Sequence, residues 1–326
     1  CLALLVRVVR ASQWSPGGCL VALAFASSPF VVMSAHLMGY LDHVMFLLTA
    51  AAVVLVTRGR PWLGALCQSA AVLVHESAIV YGVPVFVVAL IRAKPRAVRG
   101  LWPVAVPVAA SVAIAASAGL WQPANFQDLF SQHLARFPFV AGDMHIFVPE
   151  WLTPSFFDHY AAQAHRFGGR IASAEMYGLV LPTTLALWLH VLHTGRVRPM
   201  TREGMAIGAA VLAPQLLHLA AWDTVRIWTY TIGAAALVTW TYARPLRLDA
   251  GAVAAARPLD SGDAGLPATP GTGDAILVAA SVAVVVNIMM MTPLLDNLAD
   301  RFDLATRLAL YTPTLAGAVG LLRLAR

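Results

Sequence analysis

Charge is scarce in this chain. Asp, Glu, Lys and Arg make up only 12% of its 326 residues, about half the roughly 25% of an average soluble domain. Hydrophobic residues reach 59% and mean hydropathy is +0.73, which argues against an ordinary soluble core-and-surface fold. Cysteine is also rare. Cys1, Cys19 and Cys67 each lie in or beside an apolar segment with no CxxC spacing, which excludes a disulfide framework and a zinc knuckle. There is no internal repeat, and no HExxH or comparable fixed-spacing metal motif. The formal charge of +6 does not point to nucleic acid. The basic residues stand in short clusters between apolar runs and form no stripe, so no nucleic-acid partner is expected.

What is abundant is uninterrupted apolar sequence. Residues 101–120 and 275–291 contain no charge and match the roughly 20 residues that cross about 30 Å of hydrocarbon. Hydropathy predicts an all-α fold, a polytopic transmembrane bundle of about ten spans near 19–39, 44–57, 61–75, 77–91, 101–120, 178–194, 204–221, 226–242, 274–292 and 304–323. Residues 1–10 read as the remnant of a further helix, since the chain opens on Cys1, and an upstream segment is expected. The whole of 1–326 reads as one integral membrane domain, with an extracytoplasmic loop at 121–177 and a flexible Gly-, Pro- and Asp-rich cytoplasmic linker at 244–274. With alternating sides, the clusters at Arg58/Arg60, Arg92–Arg99, Arg196–Arg202 and Arg244–Arg257 share one face, cytoplasmic by the positive-inside rule. Most carboxylates fall on the other.

Ionisable residues in apolar surroundings need a partner, a watery cavity or a function. Four groups qualify: Asp42-His43, His75-Glu76-Ser77, His218 with Trp222-Asp223-Thr224-Val225-Arg226, and the histidines of the 121–177 loop. His75-Glu76-Ser77 reads as the tip of a hairpin between two short helical arms. Glu76 in an apolar tip would have its carboxyl pKa raised by desolvation, as suits a general base; a structural pairing with Arg226 or His75 stands beside that reading. Asp223 and Arg226, three apart, share a helical face and would form a salt bridge. In a functional role Arg226 would offer its fork of donors to a phosphate or pyrophosphate, oriented by Asp223. Trp222, Trp228 and Tyr230 around them fit an aromatic belt equally well. No cofactor is expected, although the clustered His and carboxylates could ligate zinc or manganese. The 121–177 loop is too aromatic for disorder, and 126–137 and 154–167 can form amphipathic helices.

Taken in order, GlyTyrLeuAspHis at 39–43, HisGluSer at 75–77, the long loop and HisLeuAlaAlaTrpAspThrValArg at 218–226 resemble bacterial exopolysaccharide and O-antigen polymerase-like proteins of the EpsG and Wzy type. More distantly the chain is similar to the GT-C membrane glycosyltransferases. The resemblance implies an enzyme of the bacterial inner membrane, acting at its extracytoplasmic face on a polyprenyl-(pyro)phosphate-linked sugar. Its partners would be membrane lipid, the lipid-linked glycan donor and a glycan acceptor. Arg226, with Asp223, His218 and Trp222, would bind the donor, while Glu76, His75, Asp42 or His43 would supply the base. A transporter or flippase with buried carboxylate ion sites, and a non-catalytic subunit of an envelope complex, are the rival expectations. The acidic first-loop motif usual in GT-C enzymes has no counterpart here.

Overall fold

A computed structural model describes residues 16–36, 41–93, 102–117, 125–136, 160–161, 163–172, 174–195, 197–219, 224–242 and 272–289. Among these residues the secondary structure is helical, with no strand. The α helices in chain order are α1 (Pro16–Ala26), α2 (Pro29–His36), α3 (Asp42–Thr57), α4 (Pro61–Val74), α5 (Ala78–Ala93), α6 (Trp102–Ser117), α7 (Phe126–Leu134), α8 (Phe167–Ile171), α9 (Ala174–Gly195), α10 (Arg202–Leu212), α11 (Thr224–Tyr242) and α12 (Thr272–Met289). Two 3-10 turns, Ala164–Arg166 and Ala213–Leu219, precede α8 and follow α10.

Local chemistry sets the breaks. Pro16, Pro29 and Pro61 each open a helix, where the missing N–H has no intrahelical partner to lose. Gly59, at φ 76°, makes the left-handed turn between α3 and α4 that a side-chain-bearing residue resists. His75 adopts an extended conformation (φ −155°, ψ 124°) and ends α4, so residues 61–91 form the expected hairpin and not one long helix. Thr201 caps α10 by accepting a hydrogen bond from the Gly204 N–H at 3.2 Å.

The lengths of the apolar helices overturn the expectation of about ten spans. Among the described residues only 17–34 is both long and apolar enough to cross a membrane, and it lies near the N-terminus, with 67% of it buried inside the molecule. The stretches Asp42–Thr57, Pro61–Val74, Ala78–Ala93, Val104–Ser117, Leu179–Gly195 and Ile276–Asn287 are apolar but shorter than that. Twelve to seventeen helical residues rise only about 18–26 Å against about 30 Å of hydrocarbon. The predicted segment 204–221 divides into α10 and the 3-10 turn that holds Pro214, whose ring cannot continue the α-helical ladder. The segment predicted at 304–323, the stub at 1–10 and almost all of the 244–274 linker lie outside the described residues. In the 121–177 region, α7 supplies the first predicted amphipathic helix and the turn at Ala164–Arg166 with α8 lies at the end of the second.

The apolar faces are spent on each other. α3 packs on α4 and α5, α4 on α6, and α9 on α11, α12 and α1. α11 runs through the middle, touching α2, α3, α5, α9, α10 and the 3-10 turn, and Ile227–Tyr242 is buried almost all round, as befits a central helix. Where helices come closest, glycine allows it. A Cβ on Gly64 of α4 would stand 2.9 Å from the Ala52 carbonyl oxygen of α3. Thr229, Thr239 and Thr241 of α11 bond back along the helix, as Thr239 does to the Ala235 carbonyl at 2.8 Å.

Candidate functional site

The site is built from the N-terminal end of α3, the α4–α5 turn and the first turns of α11. Asp42 is the first residue of α3, where the helix dipole favours a carboxylate, and it is only 6% exposed. Arg226 and Tyr230, four apart on α11, share the face that meets it. The Arg226 guanidinium places Nη1 3.4 Å from Asp42 Oδ2, a charged hydrogen bond, and the Tyr230 hydroxyl donates to Asp42 Oδ1. His75 Nε2 approaches the same Oδ1 to 3.9 Å. Three groups from two distant parts of the chain thus converge on one buried carboxylate.

His75 is oriented from its other side. Its Nδ1 accepts the Ser77 backbone N–H at 3.2 Å, so the ring proton belongs on Nε2, facing Asp42. The Ser77 hydroxyl lies 3.0 Å from both His75 Nδ1 and Met45 Sδ, which ties the turn to α3. Glu76 Oε2 is 3.5 Å from His75 Nδ1, but the Glu76 side chain is 69% exposed. Glu76 therefore stands in accessible space and not in the apolar tip expected of it, and it lies beside His75.

Beside this cluster is a small pocket lined by Asp42, His43, Arg226, Thr229 and Tyr230 together with Phe30, Met33, Ser34, Met45, Phe46 and Tyr81. Its aromatic wall is continuous: Phe30 to Phe46 is 5.1 Å between ring centres, Phe46 to Tyr81 6.3 Å and Tyr81 to Tyr230 5.3 Å. Gly233 lets this wall close on α11, because a Cβ there would lie 2.6 Å from the Phe30 ring and 2.8 Å from the Tyr81 hydroxyl.

Asp42, His43, His75 and Arg226, predicted from sequence, are therefore brought together, with Glu76 at the edge. Trp222 and Asp223 lie outside the described residues, and among the described residues Asp42 is a carboxylate that meets Arg226. His218 is not among the residues lining the pocket. It is fully buried, 6.4 Å from the Trp228 ring, and neither ring nitrogen has a hydrogen-bond partner. Arg170 donates to the His218 carbonyl at 3.3 Å and to Gln163 Oε1 at 2.7 Å, while the Trp228 indole donates to the Arg170 carbonyl at 3.2 Å. Burial, and after it the Arg170 guanidinium, pushes the His218 imidazole down to about 4. Among the described residues no three His, Cys, Asp or Glu side chains gather as a metal site would require.

Sequence reasoning missed Tyr230 and Tyr81 as members of the site. The spacing of Arg226 and Tyr230 on one helix was the available signal. Chemically, the arrangement offers a held guanidinium at an aromatic pocket, with the His75 imidazole beside Asp42 and the exposed Glu76 carboxylate on the adjoining turn. Comparison with known families, characterised proteins and solved structures finds no match to this chain.

Proposed function

We propose that the chain is a cell-envelope glycosyltransferase or polymerase, working at the extracytoplasmic face of a bacterial inner membrane on a polyprenyl-(pyro)phosphate-linked sugar. In this reaction the acceptor oxygen forms a bond to the anomeric carbon as the bond from that carbon to the phosphate oxygen breaks. The acceptor proton passes to Glu76 or His75, and the negative charge leaves with the lipid phosphate, opposite Arg226. The observation that carries the reading is the meeting of Arg226 and Asp42 at an aromatic-lined pocket, with His75 beside Asp42. An arginine is suited to phosphate oxygens by its planar fork of donors, and aromatic walls suit the apolar faces of sugar rings. The exposed Leu47, Leu66, Leu73, Ile114 and Val278 give the molecule apolar outer surface on α3, α4, α6 and α12, in keeping with a lipid-borne donor.

The test is transfer by the purified full chain, reconstituted with a lipid-linked donor, with product length read on a gel. Arg226→Ala is expected to lower kcat/KM by roughly a hundredfold or more, and Glu76→Gln by about ten- to a hundredfold if Glu76 is the base. Unchanged product in both variants would end this reading. The transporter alternative predicts uptake of substrate into proteoliposomes without glycan product; the pairing of Asp42 with Arg226 speaks against Asp42 as a carrier of ions.

A further inference from the structure

We infer that Asp42 and Tyr230 are positioning residues, which hold the Arg226 guanidinium at the pocket and take no proton from the substrate. The inference rests on the reading of Arg226 as the phosphate-binding group and assigns the residues that make it competent. Asp42 has both carboxylate oxygens engaged: Oδ1 receives the Tyr230 hydroxyl and faces His75 Nε2 at 3.9 Å, and Oδ2 receives Arg226 Nη1 at 3.4 Å. At 6% exposure it has little surface to offer an acceptor hydroxyl, and a general base must reach the proton that it removes. Arg226 differs, since 19% of its side chain remains accessible. A long guanidinium side chain has many rotamers, and fixing one edge of its plane against a buried carboxylate selects among them.

Tyr230 completes the device. It stands one helical turn after Arg226 and is 5% exposed. Its hydroxyl fixes the other oxygen of Asp42, so the carboxylate cannot rotate away from the guanidinium. Its ring leans on Tyr81, and Tyr81 on Phe46, which couples the aim of Arg226 to the wall of the pocket. Among the described carboxylates of the site, Glu76, exposed and beside His75, is the one that can meet an acceptor.

The test compares wild type, Asp42→Asn and Tyr230→Phe, each as the full chain in lipid nanodiscs. One arm reads the rate at which phenylglyoxal modifies Arg226, by peptide mass spectrometry, with Arg92 as an internal control of the overall fold. The expected rate at Arg226 rises about tenfold in Asp42→Asn, which removes the charge paired with the guanidinium, and about threefold in Tyr230→Phe, which only frees the carboxylate to turn, with Arg92 unchanged. The other arm reads kinetics with the lipid-linked donor. Positioning predicts a donor KM raised about tenfold with kcat within about threefold of wild type, the signature of lost binding.

A kcat lower by a hundredfold or more at unchanged KM and unchanged Arg226 reactivity would make Asp42 the base and overturn the inference. Unchanged reactivity and kinetics in both variants would also overturn it. Should wild type show no transfer at all, the proposed reaction falls, while the reactivity of Arg226 still decides whether Asp42 and Tyr230 hold it. Tyr230→Phe removes one oxygen atom, so it remains informative if Asp42→Asn folds poorly.

Discussion

Asn287 is the one amide side chain in the apolar run of α12, and its neighbours explain its presence. Its Nδ2 lies 2.9 Å from the Ala24 carbonyl, 3.2 Å from Ser27 Oγ and 3.0 Å from Thr183 Oγ1, joining α12 to α1 and α9. Asn287→Leu should cost about 2–3 kcal/mol, because buried partners lose their hydrogen bonds, and a lowered denaturation midpoint would register it. His218 makes a second prediction. Its folded pKa is about 4 against an ordinary 6.5, so between those values the unfolded chain binds more protons and stability falls as pH drops. The loss is on the order of 2–3 kcal/mol when complete. Denaturation at pH 7 and at pH 4 should show that loss in wild type and much less of it in His218→Leu. Neither environment was legible in sequence. Asn287 and Thr183 are 104 positions apart, and the Arg170 that faces His218 comes from a loop in which sequence alone indicated aromatic residues and histidines. Glu76 was singled out for the same reason: its apolar sequence neighbours suggested burial, but the turn at His75 points it outward.

Helices were more readable than their contacts. Proline at the first position of α1, α2 and α4, Thr201 before α10 and the polar triplet at 75–77 are local signals acting within about one turn, and the structure obeys them. The apolar runs misled because hydropathy counts residues without asking what interrupts the helix. Pro29 and Pro214 divide two of the expected segments, 19–39 and 204–221, and the arms on either side of Gly59 and His75 are short helices that pack side by side. Packing distance decides how these helices tolerate change. In α4, Gly64→Ala would drive a methyl to 2.9 Å from both the Ala52 carbonyl oxygen and Val56 Cγ2, so a loss of about 1–3 kcal/mol is expected from overpacking. Gly208 in α10 has nothing within 4 Å of a Cβ, and Gly208→Ala should stabilise by about 0.5–1 kcal/mol through helix propensity. Thermal unfolding of the two variants side by side checks the contrast; destabilisation by Gly208→Ala would contradict it.

At the scale of the molecule, α11 is the axis about which the described helices gather, and it carries the site at one end. At its other end Tyr242 donates to Glu203 Oε1 at 2.6 Å, and the Arg92 guanidinium sits 4.8 Å over the Tyr242 ring and 3.8 Å from Glu203. Native-state hydrogen exchange should find the amides of residues 227–238 among the slowest, since they open only with the whole core, and those of α7, with its exposed Leu129, among the fastest. Fast exchange in α11 would refute its central role. By itself, the sequence determined the helical class, the starts of several helices, the hairpin at 61–91 and the polar residues worth watching, because these depend on side chains within a turn or two of one another. Only the tertiary structure decided that Asp42 meets Arg226, that Tyr230 joins them, and that the apolar runs face one another as short helices. Asp42 and Arg226 are 184 positions apart, and their meeting is fixed by how α11 packs against α3, a property of closely fitted surfaces that no local pattern encodes.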